Sequence, residues 1–406
     1  MLDDILCDFA NNQSLESMER LVSYFEQDDV AISDIKKLAE TLASSGCRLP
    51  FKDHRADIAS TGGPSSLSTL LCPLYLDVLG FDVVKLGIPG RPAGAIDALF
   101  QINNYKINYT LSNLEKEVAT GGYIHFIADQ SFTPLDAILY SYRKQNQKVD
   151  VPFLAIASLL SKKIAVGLSL VGLDIRVSKY ANLGHNNIEA SKYAKIFCET
   201  ATNLGIKAVC YISDASTPYQ PYIGRGESLL ALYNIFLNES SPWLEHHKEY
   251  CKNISRNLVI YDTYSDSITD ISNEDLHLAF KRNLAKQEGV YSKFVEYCDL
   301  IKCSHDIEIY APTSGYCKYN LEKIRDLIVE IQNLEVASDN KYPDPCGLIL
   351  QALPDIPVDK NQLIATLRLC PKYRDKYISI FNNTIATIMS HPPNIQYNNY
   401  EVVING

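Results

Sequence analysis

The stretch DIASTGGPSSLSTLLCPLYLDVLGFDVVKL, Asp57 to Leu86, decides the fold. A short apolar run enters Gly62-Gly63. Leu67, Leu70, Leu71, Leu74 and Val78 then recur at helical spacing up to Gly80, and Phe81–Leu86 reads as a second strand. Strand, glycine turn, amphipathic helix and strand in alternation mean an α/β sheet domain.

The alternation continues downstream. YIHFIA (Tyr123 to Ala128) is strand-like, and helices are predicted from Thr133 to Lys144 and from Pro152 to Val166, the latter closed by Gly167. LSLVGLDIRV (Leu168 to Val177) is a strand, 187–204 a helix backed by Gly205, and AVCYI (Ala208 to Ile212) a further strand. Upstream, 15–45 reads as two helices, one through Leu15, Met18, Leu21, Val22 and Phe25. The other carries Ile35, Leu38 and Leu42 behind a Ser33 cap. Past about 305, short apolar segments alternate with turns such as YPDPCG (Tyr342 to Gly347), with a helix near 320–333. The expected class is α/β with a smaller C-terminal α+β domain.

Composition narrows the function. At 406 residues the chain needs two or three cores, and 46% apolar with 21% charged residues is globular. The acidic start MLDDILCDFANNQS lacks the basic flank and apolar run of a signal peptide, and no apolar stretch spans a bilayer. The expectation is no membrane partner. Eleven cysteines without metal spacing fit a reduced, cytoplasmic setting, with no metal and no cofactor. A net charge of −10 argues against nucleic acid, although one local cationic pocket can still hold a small anion.

Three constellations carry chemistry. In Asp57–Thr69, Gly62 and Gly63 let backbone N–H groups approach a phosphate, and Ser60, Thr61, Ser68 and Thr69 can donate hydrogen bonds. The same residues also suit a plain capped strand-to-helix turn. Ser158 and Lys162 share one face of a predicted helix, and Arg143 closes the helix before it. A guanidinium and an ammonium around a hydroxyl suit a planar, carbonyl-bearing base, although spacing alone reads first as two solvated cations. QPYIGRGESL (Gln220 to Leu229) offers glycines and Arg225 at a helix start, or an ordinary loop.

Taken together, STGG, PLDAILYSYR (Pro134 to Arg143), ASLLSKKIAVG (Ala157 to Gly167) and LDIRV (Leu173 to Val177) resemble the thymidine and pyrimidine-nucleoside phosphorylases. That family reads roughly KHSTGG, PADKxxYxxR, ASxxxKKLAxG and DVKVG at these places. QPYIGRG is similar to the longer nucleotide phosphorylases, with Tyr222 inserted; APTSGY (Ala311 to Tyr316) and DPCGLIL (Asp344 to Leu350) resemble the family's C-terminal domain. The resemblance runs over nearly the whole chain.

It implies the nucleoside phosphorylase/phosphoribosyltransferase fold, with a small helical domain (1–55 with 150–180), a large α/β domain (56–149 with 181–305) and a cleft between them. The C-terminal α+β domain is 306–406. It also implies phosphorolysis of a pyrimidine-type nucleoside or nucleotide by a homodimer, with phosphate as co-substrate. Arg143, Ser158 and Lys162 match the base-binding trio, with Arg143 and Lys162 as the catalytic cations. Ser60, Thr61, Gly62, Gly63, Ser68 and Thr69 match the phosphate loop.

Two departures stand out. Ile58-Ala59 replaces the family's Lys-His, a phosphate ligand and the expected proton donor to the base. GIPGRPAG (Gly87 to Gly94) with Ala95 replaces a second glycine loop ending in threonine. Lys85 or Arg91 is the expected substitute cation, while His54 and His125 are expected to be structural or solvated. Two other classes stay open: a base-binding pseudoenzyme, and an anthranilate-type phosphoribosyltransferase. The latter needs acidic Mg²⁺ ligands, for which only Asp214 is placed.

Overall fold

A computed structural model describes the chain except residues 1, 64, 91, 129–130, 180–182, 265–269, 394–398 and 405–406. At its centre run five parallel strands: β1 (Ala56–Ser60), β2 (Val83–Gly87), β3 (Tyr123–Ile127), β4 (Leu170–Val177) and β5 (Lys207–Asp214). β4 lies between β1 and β5, while β2 and β3 form a second pair tied to β1 by the parallel bridge Arg55–Asp82. The strand Glu401–Ile404 adds antiparallel to the outer edge of β5. Every residue of β4 is buried, as a parallel strand covered on both faces must be.

The alternation of side chains along these strands separates two cores. Ala59, Leu86, Phe126 and Leu173 face α1 (Leu2–Asn12), α2 (Leu15–Phe25), α3 (Ile32–Ser44) and the later helices of that side. Ile58, Val83 and Tyr211 face α4 (Ser68–Val78) and the helices Arg225–Phe236, Pro242–Thr263, Asn273–Lys286 and Tyr291–Cys303. A third core lies among the strands Ile307–Tyr310, Cys346–Leu350 and Leu363–Leu369 and the helices Leu321–Glu335 and Arg374–Thr384. Tyr222–Ile223 pairs with Cys346–Leu350 and so carries QPYIGRG into that third unit.

Several local expectations are corrected. α3 starts at Ile32 behind Ala31, so Ser33 is not its cap. α1 was not predicted, yet Leu2, Ile5, Leu6 and Phe9 form its buried stripe. α4 is not amphipathic: Leu70, Leu71, Cys72, Leu74, Tyr75 and Leu76 are all buried, because helices cover its outer side too. Leu170–Val177, grouped with the helical domain, is a central strand of the sheet. Among the described residues no helix is long and apolar enough to cross a membrane.

Candidate functional site

The loops at the carboxyl ends of β1, β2 and β4 meet α7 (Pro134–Gln145) and α8 (Pro152–Ala165) around a cavity of about 380 Å³; α5 (Ala95–Leu99) and α6 (Leu111–Ala119) lie between β2 and β3 in the chain. The outer ends of parallel strands are where such sheets bind ligands. Ser60, Thr61, Gly62, Gly63, Thr69 and Lys85 line the cavity, and so do Arg143, Ser158 and Lys162. Two of the three constellations therefore share one space, and the solvated alternative for Arg143 and Lys162 is excluded, since both are buried.

On α7 and α8 the trio is arranged by hydrogen bonds. Arg143 donates from Nε to the Lys148 carbonyl (3.1 Å) and from Nη2 to that of Val149 (2.7 Å). Nη1 has no partner among the described residues. Lys162 donates to Asp136 Oδ2, to the Ser158 carbonyl (2.8 Å) and to Ser158 Oγ (3.0 Å). All three ammonium protons have acceptors, so the Ser158 hydroxyl accepts from Lys162 and points its own proton elsewhere. Burial pulls the Lys162 pKa below the usual range, with Asp136 opposing and Lys163 and Arg143 adding to the drop. Contrary to the expectation of two cations against the ligand, the donors on offer are Arg143 Nη1 and the Ser158 hydroxyl. Tyr140, Val149, Ala155 and Leu159 supply apolar wall.

The glycine loop is equally specific. Gly62 (φ +91°) and Gly63 (φ +143°) hold conformations that favour glycine, and neither amide has a partner among the described residues. Ser68 is displaced from the expected set: its hydroxyl donates to Asp174 Oδ2 (2.7 Å) and accepts from Arg176 Nη2 (2.7 Å), behind the cavity wall. The first amides of α4 are taken as well, Leu67 N donating to His247 Nε2 (2.8 Å) and Ser68 N to Ser66 Oγ (3.2 Å). An anion here would meet the two glycine amides rather than the helix end.

Of the two expected substitute cations, Lys85 is already paired. Lys85 lines the cavity, but its ammonium donates to Asp57 Oδ1 (2.5 Å) and the Ile58 carbonyl (2.8 Å). Lys163, missed in the sequence, takes the other oxygen of Asp57. Burial alone would raise the Asp57 carboxyl; the Lys163 and Lys85 ammoniums outweigh it and hold it below the carboxylate range. Arg91 lies outside the described residues. Arg176, quoted in LDIRV but not singled out, is a cation at the loop among the described residues. It donates from Nε to Asp174 Oδ2 (3.0 Å), while its Nη1 lies beside Gly63, 3.4 Å from where a Cβ there would stand. Arg225 is away from the cavity: it donates to Asp97 Oδ2 (2.6 Å), and Asp97 Oδ1 accepts from the amides of Gly90 (2.9 Å) and Gly94 (3.0 Å), shaping the GIPGRPAG loop.

Of the replaced pair Ile58-Ala59 only Ala59 faces the cavity, while Ile58 points into the opposite core; the second departure lines the cavity through Gly87–Gly90 and Ala93–Ala95. His125, expected to be structural, also lines the cavity, while His54 and Asp214 do not.

The fold and site define an α/β protein with a cation-lined cleft at the carboxyl ends of parallel strands. In sequence the chain is related to the pyrimidine-nucleoside phosphorylases. It is 25% identical over 279 residues to the pyrimidine-nucleoside phosphorylase of Geobacillus stearothermophilus, spanning 64% of this chain and 62% of that one. It is also 25% identical over 233 residues to the AMP phosphorylase of Methanococcus maripaludis, 55% of this chain and 44% of that protein. The chain thus spans less than two thirds of the length of the curated relatives it matches, and the alignments are shorter than the near-complete likeness seen in the motifs. No family model matches. Anthranilate phosphoribosyltransferase from Thermus thermophilus superposes with a TM-score of 0.45 at 13% identity, over 74% of this chain and 99% of that one.

Proposed function

We propose that the protein is a divergent pentosyltransferase that exchanges the base of a pyrimidine-type nucleoside or nucleotide for phosphate. The single observation that carries this reading is the shared cavity, in which the Arg143/Ser158 donors and the Gly62-Gly63/Arg176 loop line one space. The Ser158 hydroxyl and Arg143 Nη1 hold the carbonyl-bearing ring. A phosphate at the glycine amides and Arg176 attacks C1 of the sugar, forming a C–O bond as the C–N bond to the base breaks. The electron pair leaves with the ring, where the same two donors meet the growing charge.

Ala59 supplies no proton to the departing base, and well-placed general acids are worth roughly 10²–10⁴ in rate. This favours slow turnover, and it is the one observation that supports the second reading, a base-binding protein without chemistry. Incubation with uridine, thymidine and UMP separates the two. Free base released only when inorganic phosphate is present supports the transferase. Binding of nucleoside without release, at any phosphate concentration, supports the binding protein, and neither binding nor release removes both.

A further inference from the structure

His125 has no role in the function proposed above, yet it lines the cavity and its placement is tightly specified. Gln287 pins its backbone from both sides: the His125 amide donates to Gln287 Oε1 (2.7 Å), and Gln287 Nε2 donates to the His125 carbonyl (2.6 Å). The ring is 1% exposed and its Nδ1 lies 3.0 Å from the Tyr123 hydroxyl. The far nitrogen, Nε2, lies against Gly87, where a Cβ would stand only 2.4 Å from it. Glycine at 87 is therefore what makes room for this imidazole. Among the described residues Nε2 has no hydrogen-bond partner, and His125 lines the cavity.

The tautomer follows from the buried hydroxyl. Tyr123 has the His125 ring as the one partner of its hydroxyl among the described residues. If His125 Nδ1 carried the proton, the Tyr123 O–H would be buried with no acceptor, at the cost of an unmade hydrogen bond. With Tyr123 donating to Nδ1, the proton sits on Nε2, and the ring turns a donor toward the cavity. Burial and the neighbouring Lys85 keep the ring neutral, so it offers a hydrogen bond rather than a charge.

β1 and β2 run parallel from the Arg55–Asp82 bridge, and Ser60 and Gly87 lie the same distance along the chain beyond it. The imidazole thus flanks the mouth of the STGG loop. We propose that His125 is a ligand-contacting residue, donating from Nε2 to an oxygen of the phosphate seated at Ser60–Gly63. It takes up binding that the family's missing residues would otherwise supply. This rests on the phosphate half of the proposed function and adds to it a donor from β3.

The test uses the whole chain with inorganic phosphate as the probe. Calorimetry on the wild type, His125→Phe and Gly87→Ala reads the affinity; the first variant keeps a ring but no donor, and the second pushes the imidazole from its place. Both are expected to weaken phosphate binding roughly 10- to 100-fold, the scale of one hydrogen bond to a charged group, with the affinity for uracil moved far less. To keep the test independent of any folding defect in the variants, the wild type is also titrated by NMR, where the His125 Nε2 resonance should move with phosphate saturation. Phosphate binding within about twofold of wild type in both variants, or a wild-type resonance that stays fixed while phosphate binds, overturns the proposal. A wild type that binds no phosphate at all overturns the underlying function with it.

Discussion

Lys162 Nζ lies 3.0 Å from the Oγ of Ser158, one helical turn earlier, and its other two protons go to the Ser158 carbonyl and Asp136. The lysine orients the serine, and the serine faces the ligand. Ser158→Ala should therefore weaken uracil binding about tenfold, near 1.4 kcal/mol, with little change in stability. Lys162→Met should behave differently. It leaves Asp136 buried and unpaired, costing about 3–5 kcal/mol in urea unfolding, and a further Asp136→Leu change should return most of that. Equal stability of the single and double variants would contradict this.

Asp57 neutralises two lysines from opposite sides, Lys85 on β2 and Lys163 on α8. Its carboxyl is held below the unfolded value of about 3.9, so its contribution to stability is complete above about pH 4. That contribution is lost as pH falls toward the lower folded value. Asp57→Asn should lower stability at pH 7 by about 3 kcal/mol or more and flatten the acid limb of a pH–stability curve. An acid limb of unchanged steepness in the variant would count against the pairing.

Arg176 is a cation beside the glycine loop, held by Asp174 with Nη1 next to Gly63. Arg176→Gln should raise the Kd for inorganic phosphate roughly 10- to 100-fold while leaving uracil affinity within about threefold. Lys85→Met, by contrast, should act mainly on stability, because its ammonium is already taken by Asp57 and Ile58. Calorimetry and urea unfolding of the two variants check the division.

Ala59 and Ile58 should respond oppositely to being restored to the family's residues. Ala59 faces the cavity, so Ala59→His places an imidazole where the base departs and should raise phosphate-dependent base release by about 10². Ile58 packs in the core behind β1, so Ile58→Lys buries an ammonium without a partner and should unfold the protein or cost several kcal/mol. Release rates and thermal melts read the two effects separately.

The α/β alternation was legible because it is written locally, in period-2 and period-3.6 apolar spacing; the glycine loop and the trio stood out only through the family resemblance, since local spacing alone read them first as a capped turn and solvated cations. What the sequence hid is long-range pairing. Nothing near Lys85 announces that Asp57 will claim it, nor that Ser68 will turn toward Asp174. Lys163 and Arg176 sat inside the quoted motifs, and strand and helix phase held a usable signal. Lys163 is one residue round the helix from Lys162 and so faces β1 rather than α7. Arg176 lies one residue from the carboxyl end of β4, where ligands of parallel sheets bind. Ile58 and Ala59 carried a clearer clue still, since neighbours on a strand face opposite ways and only one of them can face the cavity.

The most direct test of the whole account is a crystal structure of the protein soaked with uracil and inorganic phosphate together. The account predicts a flat ring within hydrogen-bonding distance of Ser158 Oγ and Arg143 Nη1, with phosphate on the Gly62 and Gly63 amides and Arg176. A cavity that stays empty at saturating concentrations of both, or a ring bound away from Ser158 and Arg143, would contradict it.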